Sequence, residues 1–487
     1  MKKQTINNKK MKKTYILSFI ILVIIAILLA RLALFHFQSQ NLNVLLISID
    51  TLRPDHMGVY GYPKSTTPSI DKWAKDALVF SNATTVVPMT HPSFTALMTG
   101  RSPFESRIVT NGDPGLSPNN KSLATRLYER GFSTSAFITS ESVLSQGFEK
   151  IDYQYYKYYY YEDSDREKYG HIDEKTSARL VQEAEKWIIN NKTKKFFAWV
   201  HLTDPHAPYY PAKKLRCKFD TEYCSQINGK SLKELEELRA EFQSCQKSEI
   251  PKNRIKLMET LYDGGIASAD IRVGEIIKML EKQGLSKNTI VILYGDHGEG
   301  FDHNYYFNHR EVLYDSSIKI PLIIKDPRVS KKGFVMRKVQ NIDFLPTLLD
   351  LLRIPEGKPN LTGKSFASEF YPVSIPKAEK RYSYFVNSKY TKFAISDGRY
   401  KYIYSLPNAC LFKGQIEELY DLKNDPEENI NLNRKNAEIA LKLKQKLDEY
   451  LGKYNLPLFP KKNDLEEGVQ PKESMDDVMK ELKEFQY

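Results

Sequence analysis

Cysteine is scarce in this chain of 487 residues, which contains only four. Cys217, Cys224 and Cys245 share one polar stretch, and Cys410 stands apart. So few cysteines exclude a scaffold held together by disulfides, and none is closely paired as in a thiolate zinc module. An oxidising compartment would permit a bridge within residues 217–245, but the count leaves the pairing open.

Long hydrophobic runs are also scarce, because only residues 15–37 are apolar over a length that could cross a bilayer. A multi-span membrane protein is therefore excluded. Six lysines and no acidic residue occupy the first thirteen positions, and positive flanks stay in the cytoplasm. We predict a cytoplasmic tail over residues 1–14 and a single-pass, uncleaved anchor in the cytoplasmic membrane over residues 15–37, with the chain from Gln38 onward extracytoplasmic. A cleaved signal peptide is the alternative.

Clustered basic patches with a nucleic-acid-reading motif are absent. The formal charge is +12, but half of it comes from the lysines before the predicted anchor. We therefore expect no nucleic-acid partner. The remaining basic excess suits an anionic substrate or a membrane surface, and equally a solvated surface without a partner.

Three short apolar runs indicate buried parallel strands, at Asn43–Asp50, Lys195–Leu202 and Thr289–Gly295. Helical patterns occur between them, at Ser122–Arg130, Lys175–Asn190 and Ser268–Lys282. Strands that alternate with helices predict a doubly wound α/β sheet.

The pattern changes near residue 381 to short aromatic strands and then a helical tail from Arg434. Asp425 followed by Pro426 indicates a helix start. We predict a catalytic domain over residues 42–375, a smaller antiparallel α+β subdomain over 376–460 and a polar helical tail over 461–487. Two stretches match no element, the tyrosine-rich residues 153–161 and the polar residues 213–257.

Acids and a hydroxyl stand where a doubly wound sheet forms its ligand site, outside the carboxyl ends of the strands. Asp50 ends the first predicted strand, and Asp296 with His297 directly follows another. Thr90 begins a proline-punctuated turn that leads into a helix predicted from Ser93, where backbone N–H groups would favour an anion. From local sequence alone, a capping role is the favoured explanation for both Asp296 and Thr90.

Histidine is rare enough, at nine residues, for its placement to be informative. His201 and His206 lie at or just after a predicted strand, and His309 follows His297 by a dozen positions. Each could be structural, but their shared placement favours a common site.

Five motifs, taken in order, resemble the sulfatase family of the alkaline phosphatase superfamily over about residues 42–434. They are Asn43–Asp55, Thr90–Arg101, His201–Pro208, Gly295–Glu299 and Glu418–Pro426. The resemblance implies an alkaline-phosphatase-like α/β/α sandwich with a smaller C-terminal domain and one divalent metal ion. It further implies the site residues: Asp50, Asp296 and His297 as metal ligands; Thr90 as nucleophile and ligand; His206 and His309 as contacts of the transferred anion or the leaving oxygen; and His201 and Asn111 as weaker substrate contacts.

The chain departs from this family at the nucleophile motif. Sulfatases carry Cys/Ser-x-Pro-x-Arg and convert its first residue to formylglycine, whereas this chain has Thr90 and Phe94 at the two ends. Threonine is a secondary alcohol and cannot give that aldehyde. It is similar instead to superfamily members that act on phosphate esters through a phosphothreonine. We therefore predict a phosphate ester hydrolase or transferase, with a true sulfatase and an inactive sulfatase-like binding protein as alternatives.

The metal is left open among zinc, manganese, calcium and magnesium. Thr51 stands where sulfatases usually have a second acid, and the loss of a carboxylate favours zinc or manganese over calcium. Asp204 is a candidate ligand of a second metal, although its spacing from His206 departs from the two-metal pattern.

Overall fold

The computed structural model describes residues 42–456 apart from several internal gaps, together with Ile21 and Val23. The gaps are residues 114–115, 118–119, 139–145, 154–171, 208, 210, 217, 221–233, 235–236, 242–249, 356–360, 372–380, 407–415 and 455. Apart from Ile21 and Val23, the predicted anchor lies outside the described residues, as do the predicted tail and all four cysteines. No helix in the described part of the chain is long and apolar enough to cross a membrane.

Eight strands form the central sheet. They are β1 (Asn43–Ile49), β2 (Leu78–Thr84), β3 (Ser133–Ile138), β4 (Lys150–Tyr153), β5 (Phe196–Leu202), β6 (Thr289–Gly295), β9 (Leu322–Lys325) and β10 (Gly333–Gln340), and a separate hairpin consists of β7 (Phe301–Asp302) and β8 (Tyr305–Tyr306). The order across the sheet is β10-β2-β9-β6-β1-β5-β3-β4. Only β9 runs antiparallel to its neighbours. The predicted strands are confirmed to within a residue.

Helices cover both faces of this sheet. They are α1 (Pro68–Ala74), α2 (Thr90–Thr99), α3 (Pro103–Ser106), α4 (Leu123–Tyr128), α5 (Ile172–Asn190), α6 (Lys213–Arg216), α7 (Lys252–Lys282), α8 (Asp315–Ile318) and α9 (Phe344–Leu352).

Alternate residues of β1 enter two different cores, because successive strand side chains point to opposite faces. Leu45 and Ile47 pack with α5 and α7, whereas Val44 and Leu46 pack with α2 and α9.

The C-terminal region forms a second, antiparallel sheet of β11 (Ser383–Val386), β12 (Lys392–Ser396), β13 (Tyr400–Ser405) and β14 (Glu417–Asp421), followed by α10 (Ala437–Gly452). This confirms the smaller α+β domain. The predicted helix start at Asp425 is wrong, since the helix begins twelve residues later at Ala437. The Asp425 carboxylate accepts the N–H groups of Asn429 and Ile430 and so closes a turn instead.

Candidate active site and metal centre

The register of the central strands brings the two predicted acids together. Ile49 of β1 pairs with Gly295 of β6, so the next residues, Asp50 and Asp296, leave the sheet side by side. Thr51 takes a left-handed conformation with a φ of 56° and donates its N–H to Asp296 Oδ1 at 3.1 Å. The backbone turn after β1 therefore orients the acid that follows β6.

His297 completes a group of three possible metal ligands. One atom each of Asp50, Asp296 and His297 lies within 4.8 Å of the others, and all three residues are buried. His297 Nε2 is 3.7 Å from Asp50 Oδ1 and 3.4 Å from Asp296 Oδ2. His297 Nδ1 lies 3.0 Å from the carbonyl of Gly298, and a donated N–H there leaves the Nε2 lone pair facing the carboxylates.

Two buried carboxylate oxygens lack a partner at this point. Asp50 Oδ1 and Asp296 Oδ2 have no hydrogen-bond partner among the described residues. Burying unpaired carboxylate oxygens is costly unless a cation compensates them, so this donor set suits a divalent metal ion. Burial, followed by the charge of Asp50, raises the pKa of Asp296 well above its usual range. Burial opposes ionisation of Asp50 too, but His206, His201 and His297 outweigh it and lower its pKa.

Thr90 reaches the same centre as the first residue of α2. Its Oγ1 lies 3.2 Å from His297 Nε2, and the residue is 8% exposed. Ser93 fixes the start of α2 against the end of β6, because its hydroxyl donates to the carbonyl of Asp296 at 2.7 Å. The helix begins three residues earlier than the predicted Ser93, which places the Thr90 hydroxyl in its first turn.

Phe94 occupies the position of the sulfatase motif arginine and is fully buried. Its ring lies 4.7 Å from Trp199 and 4.9 Å edge-on to His201, measured between centroids. The residue therefore offers an aromatic wall rather than a cation at this point of the site.

His206 and His309 lie beside the three possible metal ligands. The ring centroids of His297 and His309 are 4.0 Å apart, and those of His206 and His309 are 5.9 Å apart. His309 Nδ1 faces Glu299 Oε1 at 3.3 Å, and His206 Nδ1 faces the carbonyl of Ala207 at 2.5 Å. Burial, with the charges of His297 and His206, lowers the pKa of His309 well below its usual range.

The two weaker candidates occupy different environments. His201 is 2% exposed, with Nε2 3.7 Å from Asp50 Oδ2 and Nδ1 2.9 Å from the hydroxyl of Ser48. His201 therefore contacts Asp50, one of the three possible metal ligands, and Ser48. Asn111 is exposed and accepts the N–H of His91, the residue after Thr90, on its side-chain oxygen at 3.2 Å.

Asp204 does not join the metal centre. Its two carboxylate oxygens accept hydrogen bonds from Ser177 and Ser268, both at 2.6 Å. No second group of metal-ligating side chains occurs within the part of the chain that the structure describes. Asp204 instead joins α5 and α7 to the end of β5.

Several supporting residues were missed by the sequence analysis. Ser48 accepts the indole N–H of Trp199 at 2.9 Å while it contacts His201, and Glu299 holds His309. The alternation of β1 could have indicated Ser48, because it is a polar residue in an otherwise apolar strand. Glu299 lies within the Gly295–Glu299 motif, but only the fold shows that it lies behind His309.

Known proteins are similar to this chain in sequence and in fold. An ulvan-active sulfatase of Formosa agariphila is 26% identical over 457 residues, covering 85% of this chain and 84% of the relative. An arylsulfatase of Clostridium perfringens is 26% identical over 452 residues, covering 80% and 90%. The crystal structure of the phosphonate monoester hydrolase of Agrobacterium radiobacter superposes with a TM-score of 0.65 at 20% identity, covering 85% of this chain and 96% of that one.

Family models cover both domains. Residues 301–453 match the model described as N-sulphoglucosamine sulphohydrolase, C-terminal. Residues 42–354, which are well over half of the chain, match the sulfatase model. Together with the relatives, these matches support hydrolysis of an anionic ester. The chain belongs to the sulfatase family.

Proposed function

We propose that this sulfatase-family hydrolase acts on phosphate or phosphonate esters and uses Thr90 as its nucleophile. The observation that carries the proposal is the position of the Thr90 hydroxyl, 3.2 Å from His297 Nε2 at the edge of the Asp50, Asp296 and His297 group. An unmodified alcohol can form a covalent phosphoester. It cannot form the aldehyde hydrate that a formylglycine mechanism needs.

Asp50, Asp296 and His297 would hold a divalent cation, with Thr90 beside it. When bound, that cation would offset the two carboxylate charges and attract the oxygens of the ester. The softer imidazole and the lack of an acid at Thr51 favour zinc or manganese, as the sequence indicated.

We infer the following steps from the positions of Thr90, His206 and His309. Thr90 loses its proton to solvent, and its oxygen forms a bond to phosphorus as the bond to the leaving oxygen breaks. His206 and His309, which lie beside His297, would contact the departing oxygen, which takes up a proton. Water, or an acceptor alcohol in a transferase, then attacks the phosphothreonine and releases Thr90.

Sulfate ester hydrolysis is the second candidate, because both curated relatives described above are named as sulfatases. The third candidate, an inactive binding protein, is less favoured, because Asp50, Asp296 and His297 lie together and two of their carboxylate oxygens are unpaired. Phe94 favours phosphate over sulfate chemistry, because it removes the arginine that supports formylglycine in sulfatases.

The test is turnover of an aryl sulfate, an aryl phosphonate and a phosphodiester reporter, side by side, with zinc or manganese supplied. We expect the phosphorus esters to be turned over faster. Thr90→Ala should abolish turnover, and Thr90→Ser should retain part of it because a hydroxyl remains. Thr110→Ala, whose hydroxyl contacts Asp113 and not the ligand group, is the control. Preference for the aryl sulfate would overturn the choice of ester, and an active Thr90→Ala variant would overturn the nucleophile.

The location of the enzyme is a separate proposal that the sequence alone supports. The lysines before residues 15–37 favour an anchor in the cytoplasmic membrane with the catalytic domain outside the cytoplasm. Protease accessibility of the catalytic domain in intact cells, compared with lysed cells, tests it. Protection in intact cells would contradict this orientation.

A further inference from the structure

Three parallel strands of the central sheet, β1, β5 and β6, begin at one edge, which we call the start edge. Asn43 of β1 pairs with Thr289 of β6, and its side-chain oxygen accepts the N–H of Phe196 of β5 at 3.2 Å. Its own N–H donates to the carbonyl of Asn288 at 2.7 Å. The metal centre lies at the opposite edge, where β1 and β6 end. The loops that precede β5 and β6 therefore flank the point where the chain enters the sheet.

These two loops are basic. Residues 191–195 contain three lysines and no acid, and residues 281–288 contain two lysines and one acid, Glu281. The five lysines are Lys192, Lys194, Lys195, Lys282 and Lys287. All are exposed except Lys195, which is half-buried. Five lysines less one glutamate give the two loops a net charge of +4.

None of these five lysines forms an ion pair with a described residue. Lys192 donates to the side-chain oxygen of Gln283 at 3.2 Å, and Lys195 donates to the carbonyl of Arg130 at 3.5 Å. Both partners are neutral oxygens, so the positive charge remains available. The two lysines before β10, which begins at the same edge, each pair with a carboxylate, so their charge is already balanced.

The start edge is also the part of the fold nearest in sequence to the predicted anchor. That anchor ends at residue 37, so only residues 38–42 separate it from β1. Five residues span at most about 18 Å when fully extended. If residues 15–37 cross the membrane, the start edge must therefore lie within that distance of its outer surface.

We propose that the five lysines dock the start edge onto anionic lipid headgroups of the membrane that holds the predicted anchor. A cluster of lysines attracts an anionic lipid surface over a Debye length, which is about 8 Å at physiological salt. The short connection to the anchor would keep the loops near the headgroups, where the lysines act together. This docking rests on the proposed anchor and is independent of the ester that the enzyme hydrolyses.

Docking at the start edge would turn the metal centre away from the membrane. β1 contains seven residues, and a rise of about 3.3 Å per residue places Asp50 about 23 Å beyond Asn43. A lipid headgroup of the docked membrane would not reach Thr90 across that distance. If the proposed function holds, the ester would therefore belong to a soluble molecule or a polymer outside the membrane.

Amine labelling of the full-length chain tests the docking. The chain is reconstituted in nanodiscs of phosphatidylcholine alone or of an equal mixture with anionic phosphatidylglycerol, and mass spectrometry measures the labelling rate of each lysine. We expect the five lysines to be labelled at least about threefold more slowly in the anionic nanodiscs. Lys442, an exposed lysine on α10, should be labelled at the same rate in both. Raising the salt from about 0.1 M to about 1 M should remove the difference, because the Debye length falls from about 10 Å to about 3 Å.

A double variant removes the net charge of the two loops. Lys194→Glu with Lys287→Glu replaces two exposed side chains that make no hydrogen bond to a described residue, so the fold should be retained. Lys192 and Lys282 should then be labelled at the same rate in both nanodiscs. Lys442→Glu is the matched control and should leave the protection of the five lysines unchanged.

Equal labelling of the wild type in the two nanodiscs, or protection that persists in the double variant, would overturn the docking. So would a chain that does not co-purify with nanodiscs, because the docking depends on the anchor. Release of headgroups from the phosphatidylglycerol of the enzyme's own nanodisc would overturn the orientation, because it would bring a headgroup to Thr90. Inactivity toward every soluble reporter would refute the proposed function without affecting the labelling result.

Discussion

Each domain contains a buried group of charged side chains, and the two groups differ in how their carboxylate charges are compensated. At the metal centre, Asp50 and Asp296 share no lysine or arginine partner among the described residues, and one oxygen of each is unpaired. In the C-terminal domain, Lys401 lies 2.7 Å from Asp315 and 2.6 Å from Glu428. Buried carboxylates need a compensating cation. Lys401 supplies it in the C-terminal group, whereas Asp50 and Asp296 would need one from solution.

This difference suggests a chemical role for Asp50 and Asp296 and a structural role for the Lys401 group. The lysine of the C-terminal group is covalently part of the chain, and it joins β13 to α8 of the core domain. Burial alone would lower the pKa of Lys401, but Asp315 and Glu428 outweigh it and raise it. A cation held by Asp50, Asp296 and His297 would instead be exchangeable, because it would not be part of the chain.

Loss of a metal ligand should have the largest effect on activity. Asp296→Asn keeps the size of the side chain but removes a charge, and we expect turnover to fall by about a thousandfold or more, equivalent to several kcal/mol. Asp326→Asn, which removes a buried carboxylate paired with Arg328 at 2.5 Å, is the matched control and should leave turnover per folded molecule unchanged. Turnover of the preferred reporter measures both. A fully active Asp296→Asn enzyme would remove Asp296 from the metal site.

Loss of the fixed cation should affect stability rather than chemistry. Lys401→Met leaves Asp315 and Glu428 buried without a cation and should lower the free energy of unfolding by about 3–5 kcal/mol. Urea denaturation measures this change. Adding Glu428→Gln to Lys401→Met should recover part of the loss, because it removes one unpaired charge. An undiminished stability in Lys401→Met would show that the ion pairs do not hold the two domains together.

Metal removal should separate the two groups directly. At a free metal concentration one hundred times the dissociation constant, binding stabilises the folded state by about 2.7 kcal/mol. A chelator should therefore lower the melting temperature of the wild type and of Lys401→Met, but not of Asp296→Asn. Differential scanning fluorimetry with and without manganese or zinc checks this pattern. A chelator effect that survives in Asp296→Asn would place the stabilising metal elsewhere.

The smallest effect should be on pH dependence. Burial raises the pKa of Glu428 to about 7; Lys401 opposes this shift and Asp315 adds to it. A pKa raised in the folded state contributes stability that is present below the unfolded pKa, near 4.5, and is lost as pH rises toward 7. Glu428→Gln should flatten this decline, whose slope is at most about 1.4 kcal/mol per pH unit. Urea denaturation at several pH values measures the slope, and an identical slope in the variant would contradict the assignment.

The sequence predicted that Asp50 and Asp296 lie at one edge of the sheet, because each directly follows a strand. An apolar run that ends in an acid, as at Asp50 and Asp296, is a local pattern, and parallel strands bring their carboxyl ends to one edge. The same local reasoning failed at Asp425, where a carboxylate and a proline form a turn as readily as a helix start. It also failed at Asp204, because only the tertiary structure places Ser177 and Ser268 on its two oxygens.

The sequence by itself therefore determined the α/β core, the residues at its strand ends and the alcohol at position 90. The tertiary structure alone decided that His201 contacts Asp50, that Glu299 holds His309 and that Lys401 supplies the cation of the second group. The contacts of His201 and Lys401 join residues far apart in the chain, and Glu299 and His309 are ten positions apart, so no local pattern records them. The physical reason is that burial makes every polar atom require a partner, and only the folded chain determines which partner is near.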